Sequence, residues 1–328
     1  MPGPSFSVLF RAVGRWSFSR VQGRWRYLLA LGVALLGLLE LALHVYFSQS
    51  APSLAEWQAI RPVAVDLAGG GALIVVAPAW EEPNARFALG DELMPLSHVA
   101  RPDVTGFERA LEISVLGQAA PELEHWRLGA EQRAGRFALR TWINPHLEPV
   151  RYDFLAHLAP PAAEVRVLRK GRQESCPYGT GKVSNGDLHG HPTFPRQRFA
   201  CPGGGEWSLV GLTVVEDEQY RPRQCIWAHP ASRGTLQLRF DEVPIGSKIR
   251  GYGALPYFFE RDSHGTPIEL SVTVGGEDVG TWQHMDGEGW KPFEFSTARF
   301  AGTTQVVEFN VRSKRAVRRE FCFQASVR

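Results

Sequence analysis

The chain has 328 residues and a formal net charge of +2, too long for one average domain and sufficient for two. Five of its basic residues lie before residue 27 and the remainder is slightly acidic to neutral, so no basic stripe is left to suggest nucleic acid. Arg outnumbers Lys 31 to 5 and Gly, Ala and Pro are abundant, a bias that points to a high-GC bacterial genome.

Residues 1–26 are a basic segment holding Arg11, Arg15, Arg20, Arg24 and Arg26 without an acidic residue. The apolar run Tyr27–Phe47 follows. At about 1.5 Å per residue, a helix of that length spans about 30 Å, the thickness of a bilayer's hydrocarbon core. Lys and Arg are retained on the cytoplasmic side. The expectation is a single-pass transmembrane helix with a cytoplasmic N-terminus and the bulk on the periplasmic side of a bacterial inner membrane. The rival reading is a cleaved signal peptide, with Leu28–Leu39 as its apolar region and Ser48 or Ser50 near the cleavage site. Both readings export residues 51–328. Glu40 and His44 lie one turn apart on this helix, where ionisable groups are candidate contacts to a membrane-protein partner. No second apolar run of comparable length follows, which excludes a transporter or channel built from one copy.

Residues 48–62 are expected to be a tether. Residues 63–168 read as a small α/β domain. Leu73–Trp80 is a β-rich run, followed by a short helix opening near Pro83. Leu111–Gly117 and Arg136–Ile143 are strand candidates, with more within 150–170. Residues 170–328 change character. Short strands separated by Gly, Asp and Pro turns dominate, with period-2 alternation clearest at Ile268-Leu270-Val272-Val274 and Val307-Phe309-Val311. That pattern predicts an antiparallel β-sandwich.

The cysteines are Cys176, Cys201, Cys225 and Cys322. An even count in an exported segment predicts disulfides. Cys176 and Cys201 flank one Gly/Pro-rich loop, and Cys225 and Cys322 lie in strand candidates, which favours pairing in that order. A zinc site using all four is the alternative, opposed by the lack of any Cys-x-x-Cys spacing.

The densest metal-type cluster is Asp187, His189 and His191, with His229 as a candidate further ligand. Hydrolase elbows, metalloprotease helices and phosphate loops are missing, so the chain is not read as an enzyme. Glu216-Asp217-Glu218 is the nearest approach to a sugar-nucleotide acidic motif. A glycosidase would need two converging carboxylates; Glu81, Glu82 and Asp91 are the candidates in the first domain.

The stretches CIWAHP, GTLQLRFDEVPIGSKIRGYGALPYF, PIELSVTVGGEDVGTWQH, GWKPFEFSTARFAG and VVEFNVRS with FCFQA resemble a discoidin-like or carbohydrate-binding jelly-roll module. The resemblance covers about a third of the chain and implies a β-sandwich that binds a glycan. Tyr252, Tyr257, Trp282 and Trp290 are then the candidate ligand-binding residues, since sugar faces stack on such rings. No cofactor is expected beyond a candidate structural calcium at Asp241, Glu242, Asp262 and Asp286. The expectation is a membrane-anchored envelope protein that binds a glycan without catalysis. The alternatives are an envelope glycan-processing enzyme and an accessory subunit of a membrane complex.

Overall fold

The computed structural model describes residues 22–182, 194–205, 207–261 and 265–328. It divides into two units, residues 1–53 and residues 54–328. In the first, Leu and Ala, both strong helix formers, continue α1 (Gln22–Ser50) without a Pro. Its segment Tyr27–Tyr46 is long and apolar enough to cross a membrane.

The second unit opens with α2 (Leu54–Ala59), α3 (Arg61–Ala68), β1 (Leu73–Ala77), α4 (Glu82–Leu89), α5 (Leu96–Val99), β2 (Arg109–Val115), β3 (Arg127–Ala134) and β4 (Phe137–Ile143). The strand order is β1-β2-β4-β3. β1 and β2 are parallel, from Leu73 opposite Ala110 to Ala77 opposite Ser114; the other pairs are antiparallel. The helices cover one face, where Trp57, Ile60, Ala64 and Leu89 pack on Ile74, Val76, Ile113 and Leu139. The other face buries Leu73, Val75 and Ala110 against Val104 and Leu123. β1 is therefore apolar throughout, as a strand buried on both faces must be. Residues 54–59, expected in a polar tether of helical character, form α2, whose Trp57 packs into this core.

The chain continues through β5 (Tyr152–Asp153), β6 (Ala163–Arg169), β7 (Arg172–Ser175), β8 (Tyr178–Thr180), β9 (Gln197–Ala200), β10 (Leu209–Glu216), β11 (Pro222–Ala228), β12 (Thr235–Pro244) and β13 (Lys248–Ala254). A one-turn helix, α6 (Tyr257–Glu260), precedes β14 (Ile268–Val274), β15 (Glu277–His284), β16 (Lys291–Ser296), β17 (Thr304–Ser313) and β18 (Cys322–Val327). They form two antiparallel sheets, ordered β16-β13-β18-β11-β10-β9-β8 and β15-β14-β17-β12-β6-β7, with β5 added beside β18. The predicted β-sandwich is present. The expected division near residue 169 falls inside it, since β5 pairs with β18 and β6 with β12.

Alternation sets the core. Leu236, Leu238 and Phe240 face inward from one sheet, and Phe323, Ala325 and Val327 from the other. At the centre Phe154 meets Phe240 and Phe309 edge-on at 4.9 and 4.8 Å. Gly253 has a steric reason: a Cβ there would lie 2.9 Å from the rings of Phe321 and Trp282. Cys176 is bonded to Cys201 and Cys225 to Cys322.

Phe309 is fully buried, so Phe309→Ala should lower unfolding free energy by about 3–5 kcal/mol. Leu128 is exposed on β3, and Leu128→Ala should cost no more than about 0.5 kcal/mol. Urea denaturation of the two variants checks the contrast.

Candidate functional site

One groove of about 610 Å³ opens on the sandwich, within the range of ligand sites. Its walls come from the turn after Cys201, the segment after β11, α6 and the loop before β18. Trp207 and Phe258 line it while remaining 48% and 46% exposed. Large rings left half in water inside a concavity are uncommon on a folded surface and mark contact sites.

Each wall is fixed by short-range physics. The turn leaves Cys201, which is tied to Cys176, and closes through Cys201 N–H to Ser208 O at 2.9 Å. The Trp227 indole donates to Trp207 O at 3.0 Å. Gly205 makes room for the Trp207 ring: a Cβ there would lie 2.6 Å from Cζ2. On α6, Phe259 is buried, leaving its neighbour Phe258 outward. The helix is pinned by Glu260, whose Oε1 accepts from Leu255 N at 2.8 Å and His284 Nε2 at 2.6 Å. Its Oε2 accepts from Gly287 N at 2.8 Å. The loop before β18 is held by Arg319, which donates to Asp286 Oδ2 at 3.1 Å.

His229, Glu320 and Arg169 line the same groove. His229 Nδ1 lies 2.9 Å from Pro230 O; a carbonyl only accepts, so Nδ1 carries the proton and Nε2 is an acceptor. Burial pushes the imidazole pKa down to about 4, against a smaller opposite effect of that hydrogen bond, so it is neutral at pH 7. Glu320 is buried at the groove wall. Arg169 is oriented by Glu174 at 2.7 Å and Pro202 O at 3.2 Å. The groove thus combines apolar ring faces with a neutral acceptor, a carboxyl group and a guanidinium.

The four aromatic residues singled out from sequence occupy other places. Tyr252 lies in β13, donates to Asp103 Oδ2 at 2.9 Å and is parallel to Trp290 at 6.3 Å. Trp290 packs beside the Cys225–Cys322 disulfide. Trp282 lies in β15, donates to Pro292 O at 3.1 Å and carries the Lys291 ammonium 5.5 Å above its ring. Tyr257, on α6, meets the Tyr220 hydroxyl at 2.6 Å. It is the neighbour in sequence of the groove residue Phe258. Trp207 and Phe258 carry no sequence signal that separates them from core rings.

Asp187, His189, His191 and Asp262 lie outside the described residues. Among the described residues no three His, Cys, Asp or Glu side chains converge on a metal position. Of the calcium candidates, Asp286 is committed to Arg319 and Gly265 N, and Asp241 to Arg239 at 2.8 Å. Burial raises the Asp286 carboxyl, but the Arg319 bond and charge, the Gly265 N–H and the charge of His284 together outweigh it and hold the pKa below the usual range. Glu40 and His44 are exposed on α1. Asp91 pairs with Arg86 at 2.8 Å, away from Glu81, which accepts from Asn84 at 3.0 Å.

No protein-family model matches the chain, and no curated protein matches it. Among solved structures it is similar to the CBM51-2 and INT domains of Clostridium perfringens ZmpB, at 8% identity and a TM-score of 0.27 over 35% of this chain and 26% of that one. It is similar to the CBM51 of a Clostridium perfringens GH95 protein in complex with methyl-galactose, at 10% identity and a TM-score of 0.26 over 35% and 77%. A third is ZmpB CBM51-2 with GlcNAc and the INT domains, at 10% identity and a TM-score of 0.27 over 50% and 37%. The chain thus spans about a quarter of the first of these and about a third of the last.

The neutral, buried His229 makes stability depend on acid. Above about pH 6.5 the imidazole is neutral both folded and unfolded. As pH falls from about 6.5 to about 4, the unfolded chain takes up a proton that the folded site refuses, and about 3 kcal/mol is lost. His229→Asn, which cannot titrate, should flatten that part of the profile. Urea midpoints measured between pH 7 and pH 4 check it.

Proposed function

We propose that this is a non-catalytic glycan-binding protein held at the bacterial envelope by α1, with its N-terminus cytoplasmic and residues 54–328 on the periplasmic side. The observation that carries the reading is the pair of half-exposed rings, Trp207 and Phe258, in one groove with His229 and Glu320. A pyranose has an apolar C–H face and a rim of hydroxyls. The rings offer surfaces for the first. The imidazole Nε2 accepts, and the Glu320 carboxyl and Arg169 guanidinium supply further partners for the second. The groove walls are pinned by a disulfide, an indole-to-backbone bond and a buried carboxylate, so little ordering entropy is lost on binding. Tyr257 extends the ring surface beyond Phe258 in this proposal. Support for the anchor comes from the length and apolar character of Tyr27–Tyr46 together with the arginines before it.

The test is titration of the detergent-solubilised full chain with neutral sugars, beginning with methyl-galactoside and N-acetylglucosamine oligomers. Saturable binding is expected. Trp207→Ala and Phe258→Ala should each weaken it about tenfold, the loss of one stacked ring at about 1–1.5 kcal/mol. Both side chains are half-exposed, so the variants should keep the parent's unfolding midpoint within about 1 kcal/mol. A full glycan array without a saturable ligand would sink the proposal, as would undiminished binding by both variants.

A further inference from the structure

A second cavity, of about 380 Å³, lies at the carboxyl ends of the parallel strands β1 and β2. In open α/β sheets that edge is where ligands settle, because loops leave the strands there and expose backbone and side chains to one crevice. One wall is apolar: Val76, Val99, Val104 and Ala120. The other is charged. Glu82 begins α4, Glu122 follows β2, and Arg221 and Arg223 come from the sandwich strand β11 and the residue before it. The sandwich thus completes a site that the α/β sheet begins.

The charged wall is preorganised. Arg101 is nine-tenths buried; it bonds to Glu122, donates to His98 O at 2.7 Å and lies 3.5 Å from Glu82 Oε1. Arg223 is held by Asp217 at 2.9 Å and donates to Arg101 O. The loop carrying Glu122 is anchored from inside the sheet, where buried Glu112 accepts from Ala120 N at 2.6 Å. Two groups are not satisfied in this way. Glu82 Oε1 is buried within ion-pair range of Arg101 but makes no hydrogen bond of normal geometry. Arg221 reaches Glu122 only at 3.8 Å and is 43% exposed.

We propose that this crevice binds a small hydroxylated monocarboxylate of about hexose size, a sugar acid, with its carboxylate on Arg221 and its hydroxyls on Glu82 and Glu122. Among the described residues Arg221 makes one long ion pair, which leaves N–H donors to give, and a carboxylate matches the guanidinium fork. The charge balance selects a monoanion. The charged residues lining the crevice are Arg101, Arg221 and Arg223 with Glu82, Asp103 and Glu122. With Glu82 protonated the cluster holds one positive charge in excess; with Glu82 ionised it holds none. A dianionic phosphate would leave the crevice with a net negative charge in either protonation state of Glu82.

Glu82 supplies the pH sense. Burial pushes its carboxyl above the usual range, Arg101 opposes this, and Glu122 reinforces it. The charged groups facing it are Arg101, Glu122 and Arg221. His98, beside Arg101, is held below its ordinary pKa by burial and by that guanidinium, so it adds no charge at pH 7. Protonated, Glu82 donates to the ligand; ionised, it repels the carboxylate. Affinity therefore falls as pH rises through the Glu82 pKa.

The test uses the full chain in detergent, with D-glucuronate as the probe and D-glucose as its uncharged counterpart, by titration calorimetry. Glucuronate should bind saturably and glucose at least about tenfold more weakly, the worth of one charge-assisted contact. Arg221→Gln should lower glucuronate affinity by about tenfold or more with an unchanged unfolding midpoint, since its one ion pair is long and exposed. Glu82→Gln, permanently neutral and of equal volume, should keep the low-pH affinity and abolish the loss at higher pH. Repeating the titration with the Trp207→Ala chain assigns any glucuronate binding lost there to the aromatic groove and what remains to this crevice. In the Trp207→Ala chain, no saturable glucuronate binding, equal binding of glucose, or full affinity when Arg221→Gln is added would each overturn the proposal.

Discussion

The constraint on which the rest of the structure depends is that the last strand of the chain is the middle of its sheet. β18 is hydrogen-bonded to β11, β13 and β5, is buried on every residue and is bonded through Cys322 to β11. Its final backbone groups still pair: Arg328 N–H donates to Lys248 O at 2.9 Å, and Ser247 N–H to Arg328 O at 2.8 Å. Every strand it pairs with is distant in sequence, so its loop-closure entropy is lost before the sheet can gain from it. The groove wall before β18 and the crevice residues on β11 have no fixed position until that strand is in place. The sandwich is one cooperative object, and both sites are features of its closure.

The α/β layer is joined to it differently. Gln224 N–H donates to Ala100 O at 3.0 Å, and Tyr252 OH to Asp103 at 2.9 Å. Glu148 accepts from Lys248 at 2.8 Å and from Arg250 at 3.0 Å. These are polar and charged contacts where a core would be apolar. Buried ion pairs offset their own desolvation and little more, but removing one partner is expensive. Such a junction contributes register more than stability. It fixes which residues of β11 face which loops of the parallel sheet, and that is what a shared crevice needs.

This division explains how much of the fold and of the sites could be read from the sequence. The sandwich strands were legible where one face is buried, because burial writes period-2 alternation into Ile268–Val274 and Thr304–Ser313. β3 was not legible. It is an edge strand exposed along nearly its whole length, so nothing constrains its residues to alternate. α2 was legible only as helical character within a polar tether, because Trp57 is its one buried residue. The sites were the least legible part. Tyr252 and Trp290 are the kind of residue that binds sugars, yet they stack on each other beside a disulfide. Trp207 and Phe258 are the same kind of residue, and only the turn geometry around Gly205 and the anchoring of Glu260 leave them in water. Residue type carries the chemistry, and long-range packing decides which copies of it are presented.

β11 relates the two sites to each other. Pro222 and Arg223 stand at its start, in or beside the charged crevice, and Ala228 and His229 stand at its end, beside the groove. At about 3.3 Å per residue the strand separates them by about 20 Å. It is paired on both sides, with β10 and β18, and its residues Cys225–Ala228 are fully buried, so that spacing cannot relax. Sites this far apart without shared partners behave additively. A loss at one therefore leaves the other intact, and a ligand long enough to touch both would gain from a distance the sheet has already fixed.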